Sequence, residues 1–344
     1  MAKEIVCIGS LSQDVFFPCD HIDLMDTPGD TLSKQKMAFE VGAKYRAKDR
    51  YEAPGGCATN VSQGLSLLGV HSILVSNVGR DALGDSLLQE VRESGVDTSF
   101  VRRLSDRKTD LSAIIVDASS GERTIFYNRD ANEQFEIEDH IFQEGRLIFV
   151  GGLYGEWKEP LLKILSHSEK KALPIYYNPS QSNIHDDVET VWEVCSKSKG
   201  IFLNKDEAME LLLLASKKTS IHSDVDHSRI ESEEYLCVAL ASTGNLEFVV
   251  LTDGSRGAWV YDRGSDSIFR CKKAMSDQVL DSTGAGDAFT SGFLGAISYG
   301  LSPKEALSWG IVNSTNVIRF YGGKEGLLSR ESIEERVQTL SCSK

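Results

Sequence analysis

Short apolar runs alternate along the chain with stretches of helical periodicity. Several runs are apolar at every position, which is typical of parallel strands that are buried on both faces of a sheet. Because strand and helix alternate with short connections, the pattern predicts an α/β fold with a doubly wound, mostly parallel sheet. The predicted strands cover residues 4–11, 72–79, 146–152, 173–178, 200–204 and 248–254.

The helical stretches lie between and after these strands. One of them places four apolar side chains at the spacing of a single helix face, which predicts an amphipathic helix packed on the sheet. Its apolar residues are Ala58, Val61, Leu65 and Leu68. The other predicted helices lie within residues 82–94, 205–216 and 285–340.

Two regions interrupt this rhythm and predict a small second sheet. Residues 18–54 are polar and without a clear period, and residues 111–128 are typical of a β-hairpin with a glycine-containing turn. Together they predict a lid of about residues 11–50 and 111–130 that projects from the main domain. The alternative is a surface excursion without a role.

The composition is that of one globular domain. With 344 residues, of which 41% are hydrophobic, the chain can bury a sizeable core. The length allows one large α/β domain or two ordinary ones, and we predict a single domain over residues 1–344. Residues 216–236 are polar and lack helical periodicity, which predicts a mobile insertion.

The formal net charge of −14 limits the classes of partner. It opposes binding to nucleic acid and anionic membranes, because polyanions require a basic surface. No apolar run approaches the roughly 20 residues of a membrane helix, and the first residues lack a signal-peptide pattern. Seven cysteines without a CxxC pair are typical of reduced thiols. We therefore expect a cytoplasmic protein without nucleic-acid or membrane partners, in which local amides can still hold a small anion.

The segment DSTGAGDAFTSGF, residues 281–293, predicts an anion site at a helix N-terminus. Gly284, Ala285 and Gly286 let the backbone approach a ligand, and the unpaired amides of a first helical turn attract negative charge. Asp287 in that turn would stabilise the helix start by itself. A carboxylate beside a phosphate also has a chemical use, since it can accept the proton of an attacking hydroxyl.

A second pair of glycines, Gly55 and Gly56, precedes the helix that contains Asn60. The amide of Asn60 can both donate and accept hydrogen bonds, as recognition of a polyol requires. Asp14 follows the first predicted strand at the carboxyl edge, where open α/β sheets bind ligands. The alternatives are an ordinary glycine-rich loop and an exposed turn aspartate.

Two further segments carry polar groups where strands end. Asn204 ends a strand, and Glu207 lies one turn into the next helix, where it either caps the helix or holds a magnesium ion through water. Gly254 and Gly257 predict a tight turn between strands. A Walker loop, a dinucleotide fingerprint, HExxH and G-x-S-x-G do not occur in the sequence. Any phosphate chemistry would therefore proceed without a Walker loop.

Taken together and in this order, the segments resemble the ribokinase-like (PfkB) carbohydrate kinase family. Gly55 through Asn60 is similar to one family signature and Asp281 through Asp287 to the other, and the resemblance covers about residues 4–330. It implies a ribokinase-like, three-layer α/β fold with a small β-sheet lid. It also implies transfer of a phosphoryl group from ATP, with Mg²⁺, to a hydroxyl of a sugar, a nucleoside or a similar small molecule.

The resemblance further implies roles for individual residues. Asp287 would take the proton of the acceptor hydroxyl, with an anion hole of amides from Gly284 to Asp287. Glu207 would order magnesium through water, and Asp281 resembles a ligand of a monovalent cation, which leaves potassium (K⁺) activation open. The implied substrate contacts are Asp14, Gly55, Gly56, Asn60 and Asn132. The implied nucleotide contacts are Asn204, Thr252, Asp253, Gly254, Gly257 and, more weakly, Asn313.

The chain also departs from the family pattern. Asp130-Ala131-Asn132 stands where many sugar kinases of the family carry Gly-Ala-Asn, and Asp130 could disfavour a sugar phosphate. The residues before Asn60 differ from the ribokinase pattern, so ribose itself is in doubt. The leading interpretation is a sugar kinase. A nucleoside kinase of the adenosine type and a silent binding protein are the alternatives, and the lid could support a homodimer.

Overall fold

The structure is a computed structural model that describes residues 4–20, 22–27, 35–143, 146–218, 225–242, 244, 246–272, 279–340 and 342–344. Within these ranges, no helix has the length and apolar character needed to cross a membrane.

The strands and helices follow in chain order. The strands are β1 (Ile5–Ile8), β2 (Ser12–Cys19), β3 (Asp23–Asp26), β4 (Gln35–Ala38), β5 (Tyr51–Gly55), β6 (Ser72–Gly79), β7 (Asp97–Leu104), β8 (Asp110–Asp117), β9 (Arg123–Asn128), β10 (Leu147–Val150), β11 (Ile175–Tyr177), β12 (Gly200–Asn204), β13 (Phe248–Thr252), β14 (Ala258–Asp262), β15 (Ser267–Cys271) and β16 (Cys342–Ser343). The α-helices are α1 (Cys57–Leu67), α2 (Ala82–Glu93), α3 (Lys158–Lys171), α4 (Gln181–Asp186), α5 (Val188–Lys197), α6 (Lys205–Lys218), α7 (Glu233–Ala241), α8 (Ala285–Ser298), α9 (Pro303–Val317) and α10 (Arg330–Val337).

The main sheet confirms the predicted architecture. Its ten strands lie in the order β16-β15-β14-β13-β12-β11-β10-β1-β6-β7. Neighbours from β7 to β13 are parallel, whereas β14, β15 and β16 are added antiparallel. The chain therefore winds outward from β1 in both directions, as a doubly wound sheet does.

Both faces of the main sheet are covered, which explains the uninterrupted apolar runs. Ile5 and Cys7 of β1 pack into one hydrophobic cluster with residues of α1, α2, α8 and α9. Val6 and Ile8 pack into a second cluster with residues of α3, α5, α6 and α7. Successive side chains of a strand point to opposite faces, so a strand between two helical layers must be apolar at each position.

A small sheet lies where the second sheet was predicted. Its order is β5-β2-β8-β9, with β2 and β8 parallel and the outer pairs antiparallel. Phe16, Ala53, Ile114 and Val116 form its core, against which Tyr321 packs. β3 and β4 form a separate two-stranded sheet. We call the four-stranded sheet the lid; its closure over a ligand stays a prediction.

Some predicted boundaries were wrong. The stretch 18–54 contributes the short strands β3 and β4 and most of β5, which ends at Gly55, one residue beyond the predicted stretch. In the predicted insertion 216–236, α6 extends to Lys218 and α7 begins at Glu233, while residues 219–224 lie outside the described residues. The sequence pattern did not predict β15 and β16, because both are short and mix polar with apolar residues.

Candidate active site

Helix α8 begins where the anion site was predicted. Gly284 precedes the helix with a φ of 73°, and a Cβ on it would lie 2.3 Å from the Cα of Gly323. A Cβ on Gly323 would in turn lie 2.8 Å from Nδ2 of Asn60. The helix start, the loop at residue 323 and helix α1 therefore meet without room for a side chain, which explains the glycine at position 284.

The free amides at this helix start are fewer than predicted. The N–H of Ala285 donates to the carbonyl of Ser282 at 3.3 Å. Within the described part of the chain, the N–H groups of Gly286 and Asp287 contact no acceptor. A Cβ on Gly286 would meet nothing within 4 Å, so this turn faces open space. Two free amides at the positive end of the α8 dipole are therefore available for the predicted anion site.

Asp287 stands beside these amides in an environment suited to a base. Its Oδ2 accepts a hydrogen bond of 2.8 Å from Nδ2 of Asn60. Burial raises the pKa of Asp287 to about 6, the negative charge of Asp14 acts in the same direction, and hydrogen bonds from Asn60 and Cys57 oppose the rise. A carboxyl group with this pKa is mostly ionised at neutral pH and is a better proton acceptor than an ordinary aspartate.

Asn60 joins the proposed base to the acceptor side of the site. The residue is buried, with 4% of its surface exposed. Its Nδ2 is committed to Asp287, whereas its Oδ1 has no hydrogen-bond partner in the described structure. A buried acceptor without a donor is costly, and the hydroxyl of a bound substrate would satisfy it.

Asp14 is not the exposed turn residue that was the alternative. It lies in β2, is 9% exposed, and accepts a hydrogen bond of 3.1 Å from Oγ of Ser12. Burial raises its pKa, while Ser112 and Arg129 oppose the rise. A Cβ on Gly55 would lie 2.1 Å from the Asp14 carboxylate. Gly55 thus acts by making room for this carboxylate.

Gly56 has a different structural reason from its neighbour. Its φ is 100°, and a Cβ there would lie 2.2 Å from the carbonyl oxygen of Ser10. The residue is the N-cap of α1, so the chain turns sharply from the lid into the helix. Its contribution to substrate binding, if the predicted role holds, comes from the backbone.

A cavity of about 210 Å³ connects the anion site with the ends of β12 and β13. Gly284, Gly286 and Asp287 line one side, and Asn204, Glu207 and Thr252 line the other. Parallel strands open their carboxyl ends at one edge of a sheet, and ligands of such folds bind there. The structure therefore brings together the predicted base, anion hole and part of the predicted nucleotide contacts.

Asn204 and Glu207 cap helix α6 reciprocally. Oδ1 of Asn204 accepts from the N–H of Glu207 at 2.8 Å, and Oε2 of Glu207 accepts from the N–H of Asn204 at 2.9 Å. The capping interpretation is thus confirmed, and it leaves Oε1 of Glu207 without that contact. Burial, together with the negative charges of Glu210, Asp206 and Asp287, raises the pKa of Glu207 to about 7, against the hydrogen bond from the N–H of Asn204.

Magnesium fits this pair of carboxylates. Glu207 and Asp287 face the same cavity, and the pKa of Glu207 is raised partly by the charge of Asp287. The described residues contain no group of three or more acidic, histidine or cysteine ligands. Mg²⁺ is commonly held by one or two carboxylates, water and substrate phosphates, so this sparse set suits it when a nucleotide is present.

The turn between β13 and β14 is held by a charge network. Asp253 forms ion pairs with Arg256 and, at 3.9 Å, with Lys205, and Glu233 pairs with Lys205 and Arg256 at 3.0 Å. Asp253 therefore fixes the turn, whereas Thr252 lines the cavity. Gly254 and Gly257 have φ values of 41° and 100°, as the predicted tight turn requires.

Asp281 is fully buried and heavily hydrogen bonded. Its Oδ1 accepts from N and Oγ1 of Thr283 at 2.9 and 2.7 Å, and its Oδ2 accepts from the N–H of Gly322 at 3.1 Å. A carboxylate has about four lone-pair sites, so these donors leave roughly one for a cation. Its demonstrated role is to tie the chain before α8 to the loop at residue 322.

Asn132, an implied substrate contact, uses its amide group within the protein. Its Nδ2 donates to the carbonyls of Leu11 and Asn77 and to Asp110, and its Oδ1 accepts from Ser76 and from Asn77. A side chain with its whole hydrogen-bonding capacity used inside the protein has nothing left for a substrate. Asn132 joins the lid to the main sheet.

Asp130 also has an internal partner. Its carboxylate pairs with Arg107 at 3.1 Å and accepts from the N–H of Lys108 at 2.8 Å. These contacts lower the pKa of Asp130 and balance its negative charge. The presence of Asp130 is therefore only a weak argument against an anionic substrate.

Asn313, the weaker of the implied nucleotide contacts, is also hydrogen bonded within the protein. It is fully buried in α9. Its Nδ2 donates to Ala288 and Ser291 of α8, and its Oδ1 accepts from the N–H of Leu328. The side chain holds α8, α9 and the following loop together, and it does not line the cavity.

Arg123 is a site residue that the sequence analysis missed. It lies on β9 at the edge of the lid, donates a hydrogen bond to Oγ of Ser282, and lines the same cavity as Gly286. Its charge lowers the pKa of Asp287. An arginine in a predicted hairpin ordinarily faces solvent, so only the folded position of the lid reveals it.

The sequence analysis also missed Arg129 and Cys57, and the charge of Arg129 acts on Asp14. The guanidinium of Arg129 stands 4.9 Å from the ring centroid of Tyr127 and 5.2 Å from that of Tyr154, and it donates to Oγ of Ser112. Cys57, which is partly exposed, begins α1 and lies between Asp287 and Asn178. Neither had a sequence signal beyond its residue type.

Solved structures share this fold. The chain superimposes on a putative ribokinase from Agrobacterium tumefaciens with a TM-score of 0.77 at 20% identity, covering 98% of both chains. It superimposes on a nucleoside kinase from Burkholderia thailandensis in complex with inosine with a TM-score of 0.76 at 20% identity, also covering 98% of both. The ribokinase-like fold with its small sheet is thereby confirmed.

Sequence comparisons lead to the same group of proteins. The chain is 25% identical over 283 residues to an ATP-dependent 6-phosphofructokinase of Thermoanaerobacterium thermosaccharolyticum, covering 78% of this chain and 80% of that one. It is 23% identical over 338 residues to a ribokinase of Haemophilus influenzae, covering 97% and 98%. Residues 2–325 match the pfkB family of carbohydrate kinases. The chain therefore belongs to this family and is a phosphotransferase with an alcohol group as acceptor.

Proposed function

We propose that the protein transfers the γ-phosphoryl group of ATP to a hydroxyl of a small sugar, with Asp287 as the general base. One observation carries the proposal. The carboxylate of Asp287 and the free amides of Gly286 and Asp287 face a single cavity, which Arg123 of the lid also lines. The Asp287 carboxylate as base, the two amides as anion-binding donors and the positive guanidinium of Arg123 lie together where a hydroxyl would attack a phosphate.

The acceptor hydroxyl would be positioned by Asn60 and Asp287. Oδ1 of Asn60 lacks a donor and can accept the hydrogen bond of one substrate hydroxyl. Asp287, fixed by Nδ2 of Asn60 at 2.8 Å, removes the proton of the attacking hydroxyl. Asp14, with its raised pKa, can hold further hydroxyl groups as donor or acceptor.

The phosphate side would be stabilised by groups that are already in place. The amides of Gly286 and Asp287 and the guanidinium of Arg123 hold the negative charge that develops on the transferred group. Glu207 would hold Mg²⁺ through water, and the ion would neutralise charge on the nucleotide phosphates. Asn204 and Thr252 border the nucleotide from the strand ends. The K⁺ requirement implied by Asp281 is part of the test below.

A nucleoside is the second candidate acceptor. The structure of the inosine-bound kinase resembles this chain as closely as that of the putative ribokinase does, so the fold favours neither. The rings of Tyr127 and Tyr154, which flank Arg129, support this candidate, because a base can stack on aromatic surface. A silent binding protein has no use for a base with a pKa raised to about 6.

A screen for ATP consumption tests the proposal. The purified protein is incubated with MgATP and a panel of sugars, sugar phosphates and nucleosides, each with and without K⁺. We expect turnover on at least one sugar, and its loss in Asp287→Asn but not in the exposed control Asp85→Asn. Turnover on nucleosides but on no sugar would refute the sugar as acceptor and establish a nucleoside kinase. Binding of panel members without any turnover would establish the silent protein instead.

We also propose that the lid joins two copies of the chain. β9 is an edge strand whose Ile125, Phe126 and Tyr127 are 42%, 57% and 59% exposed. An apolar edge strand pairs readily with another strand, and the same strand of a second copy would cover both its backbone and its side chains. Sedimentation equilibrium should give twice the mass of the chain, and a monomer at all concentrations would refute this.

A further inference from the structure

Two cysteines face each other across the last strand pair of the main sheet. β15 and β16 are antiparallel, and their register places Cys271 directly opposite Cys342. Directly opposed residues of such a pair have Cβ atoms about 4.5–5.5 Å apart, and a disulfide requires a Cβ separation of about 3.5–4.5 Å. A small adjustment of a two-residue strand would close this difference.

The register distinguishes this pair from the other cysteines that lie on strands. Cys7 is opposite Phe149 and Leu74, and Cys19 is opposite Asp117. All seven cysteines are present as free thiols. The pairing of Cys271 with Cys342 is thus a specific feature of the edge of the sheet.

The environments of the two thiols differ in the way that stepwise oxidation requires. Cys271 is fully buried, whereas Cys342 is partly exposed, and its Sγ lies 3.0 Å from Oγ of Ser308 on α9. The Cys271 thiol, the Ser308 hydroxyl and the charge of Lys304 lower the pKa of Cys342 to about 7, against the effect of burial. A large fraction of Cys342 is therefore thiolate at neutral pH and accessible to a small oxidant.

The remaining thiols are poor competitors. Burial raises the pKa of the other five thiols, Cys7, Cys19, Cys57, Cys195 and Cys237. The thiolate is the attacking species in disulfide exchange, so these side chains react slowly. Cys271 itself has a raised pKa, mainly because its hydrogen bond to Cys342 keeps it protonated.

We propose that Cys271 and Cys342 form a reversible disulfide when the protein meets a low-molecular-weight disulfide such as oxidised glutathione. The Cys342 thiolate attacks one glutathione sulfur, which forms a mixed disulfide and releases one glutathione thiolate. The Cys271 sulfur then attacks Sγ of Cys342, releases the second glutathione thiolate and gives up its proton to solvent. The two cysteines lose two electrons and two protons in total, and one oxidised glutathione becomes two reduced molecules.

The disulfide would enclose the catalytic segment. Residues 272–341 lie between the two cysteines, and they carry Asp281, the amides of Gly286 and Asp287, and helices α8 to α10. A cross-link around a long segment stabilises the protein by restricting the unfolded chain. The oxidised protein should therefore have a higher free energy of unfolding than the reduced protein.

Thiol counting after oxidation tests the proposal. The intact protein is incubated with oxidised glutathione, denatured in an alkylating agent and mapped by mass spectrometry. We expect a peptide pair joined through Cys271 and Cys342, with five thiols left of seven, and a rise in Tm of roughly 5 °C. Reduction with dithiothreitol should reverse both changes.

Variants separate this pair from unspecific oxidation. Cys342→Ser should keep its remaining six thiols and show no rise in Tm, while the control Cys19→Ser should form the disulfide as the wild type does. Cys271→Ser should stop at a mixed disulfide on Cys342; if that variant does not fold, Cys342→Ser and the control decide. Seven free thiols after oxidation, a mixed disulfide that persists on wild-type Cys342, or an unchanged response in Cys342→Ser would each overturn the proposal.

Discussion

Replacement of Asp287 by asparagine removes one charge from the site with little change of shape. The side-chain oxygen of the new asparagine could still accept the hydrogen bond from Nδ2 of Asn60, which measures 2.8 Å in the wild type, so the local packing should survive. The asparagine cannot accept the proton of the substrate. We expect kcat to fall about 10²–10⁴-fold, the range for loss of a general base, which is equivalent to about 3–5 kcal/mol of activation free energy.

The pH profile gives an independent measure of the same group. With a pKa of about 6 for Asp287, roughly nine-tenths of the wild-type enzyme is ionised at pH 7 and roughly one-tenth at pH 5. The kcat/KM of the wild type should therefore fall about tenfold between these values. The Asp287→Asn variant should have lost this acidic limb.

Stability should change in the opposite direction. The pKa of Asp287 is higher in the folded protein than the ordinary 3.8, so the folded state binds the proton more tightly than the unfolded state does. The group therefore contributes stability below pH 4, and this contribution is lost as the pH rises through 6. By linkage the ionised carboxylate costs up to about 3 kcal/mol at pH 8, and the asparagine variant should be more stable than the wild type there.

The assay couples ADP formation to NADH oxidation with the acceptor found in the screen, and urea unfolding at pH 5 and pH 8 supplies the stability. Asp85→Asn, on the exposed surface of α2, is the matched control. Affinity for the nucleotide should be unchanged. Turnover within a few-fold of wild type, or an acidic limb near pH 6 that persists in Asp287→Asn, would refute the role of Asp287.

Three further substitutions test the other parts of the site. Asn60→Ala should raise the KM of the acceptor at least tenfold and that of ATP much less, and equal effects on both would show that Asn60 does not contact the acceptor. Arg123→Gln should lower kcat about 10-fold to 100-fold with partial rescue in Arg123→Lys, because a transition-state charge loses one donor; an effect on KM alone would assign Arg123 to binding. Glu207→Gln should raise the Mg²⁺ concentration for half-maximal activity about tenfold, since a carboxylate is lost from the ion, and an unchanged Mg²⁺ curve would leave Glu207 as a helix cap only.

The sequence predicted those features that depend on local pattern. The uninterrupted apolar runs predicted parallel strands, and the structure shows why, since Ile5 and Val6 enter different cores. The glycines before α8 predicted an anion site, because a first helical turn always leaves amides unpaired. Such properties follow from the spacing of residue types along a short segment.

Properties that depend on tertiary contacts could not be predicted from the sequence. Asn60 and Asn132 are the same residue type. Oδ1 of Asn60 has no hydrogen-bond donor in the described structure, whereas both amide atoms of Asn132 are hydrogen bonded within the protein. Arg123 reaches Ser282 across the chain, a contact that no local pattern encodes. The number of free amides at the start of α8 likewise depends on a tertiary detail, because the N–H of Ala285 donates to the carbonyl of Ser282 and only two amides stay free.

The close approach of Gly284, Gly323 and Asn60 has a consequence for changing the acceptor by mutagenesis. A Cβ on Gly284 would clash with Gly323, and a Cβ on Gly323 would clash with Asn60, so a library that varies either glycine alone would consist largely of clashing proteins. Diversity is better introduced around Arg129 and Tyr127, where a guanidinium group meets an aromatic ring. The acceptor specificity of this enzyme should therefore evolve from the lid side of the site, while the glycine side stays fixed.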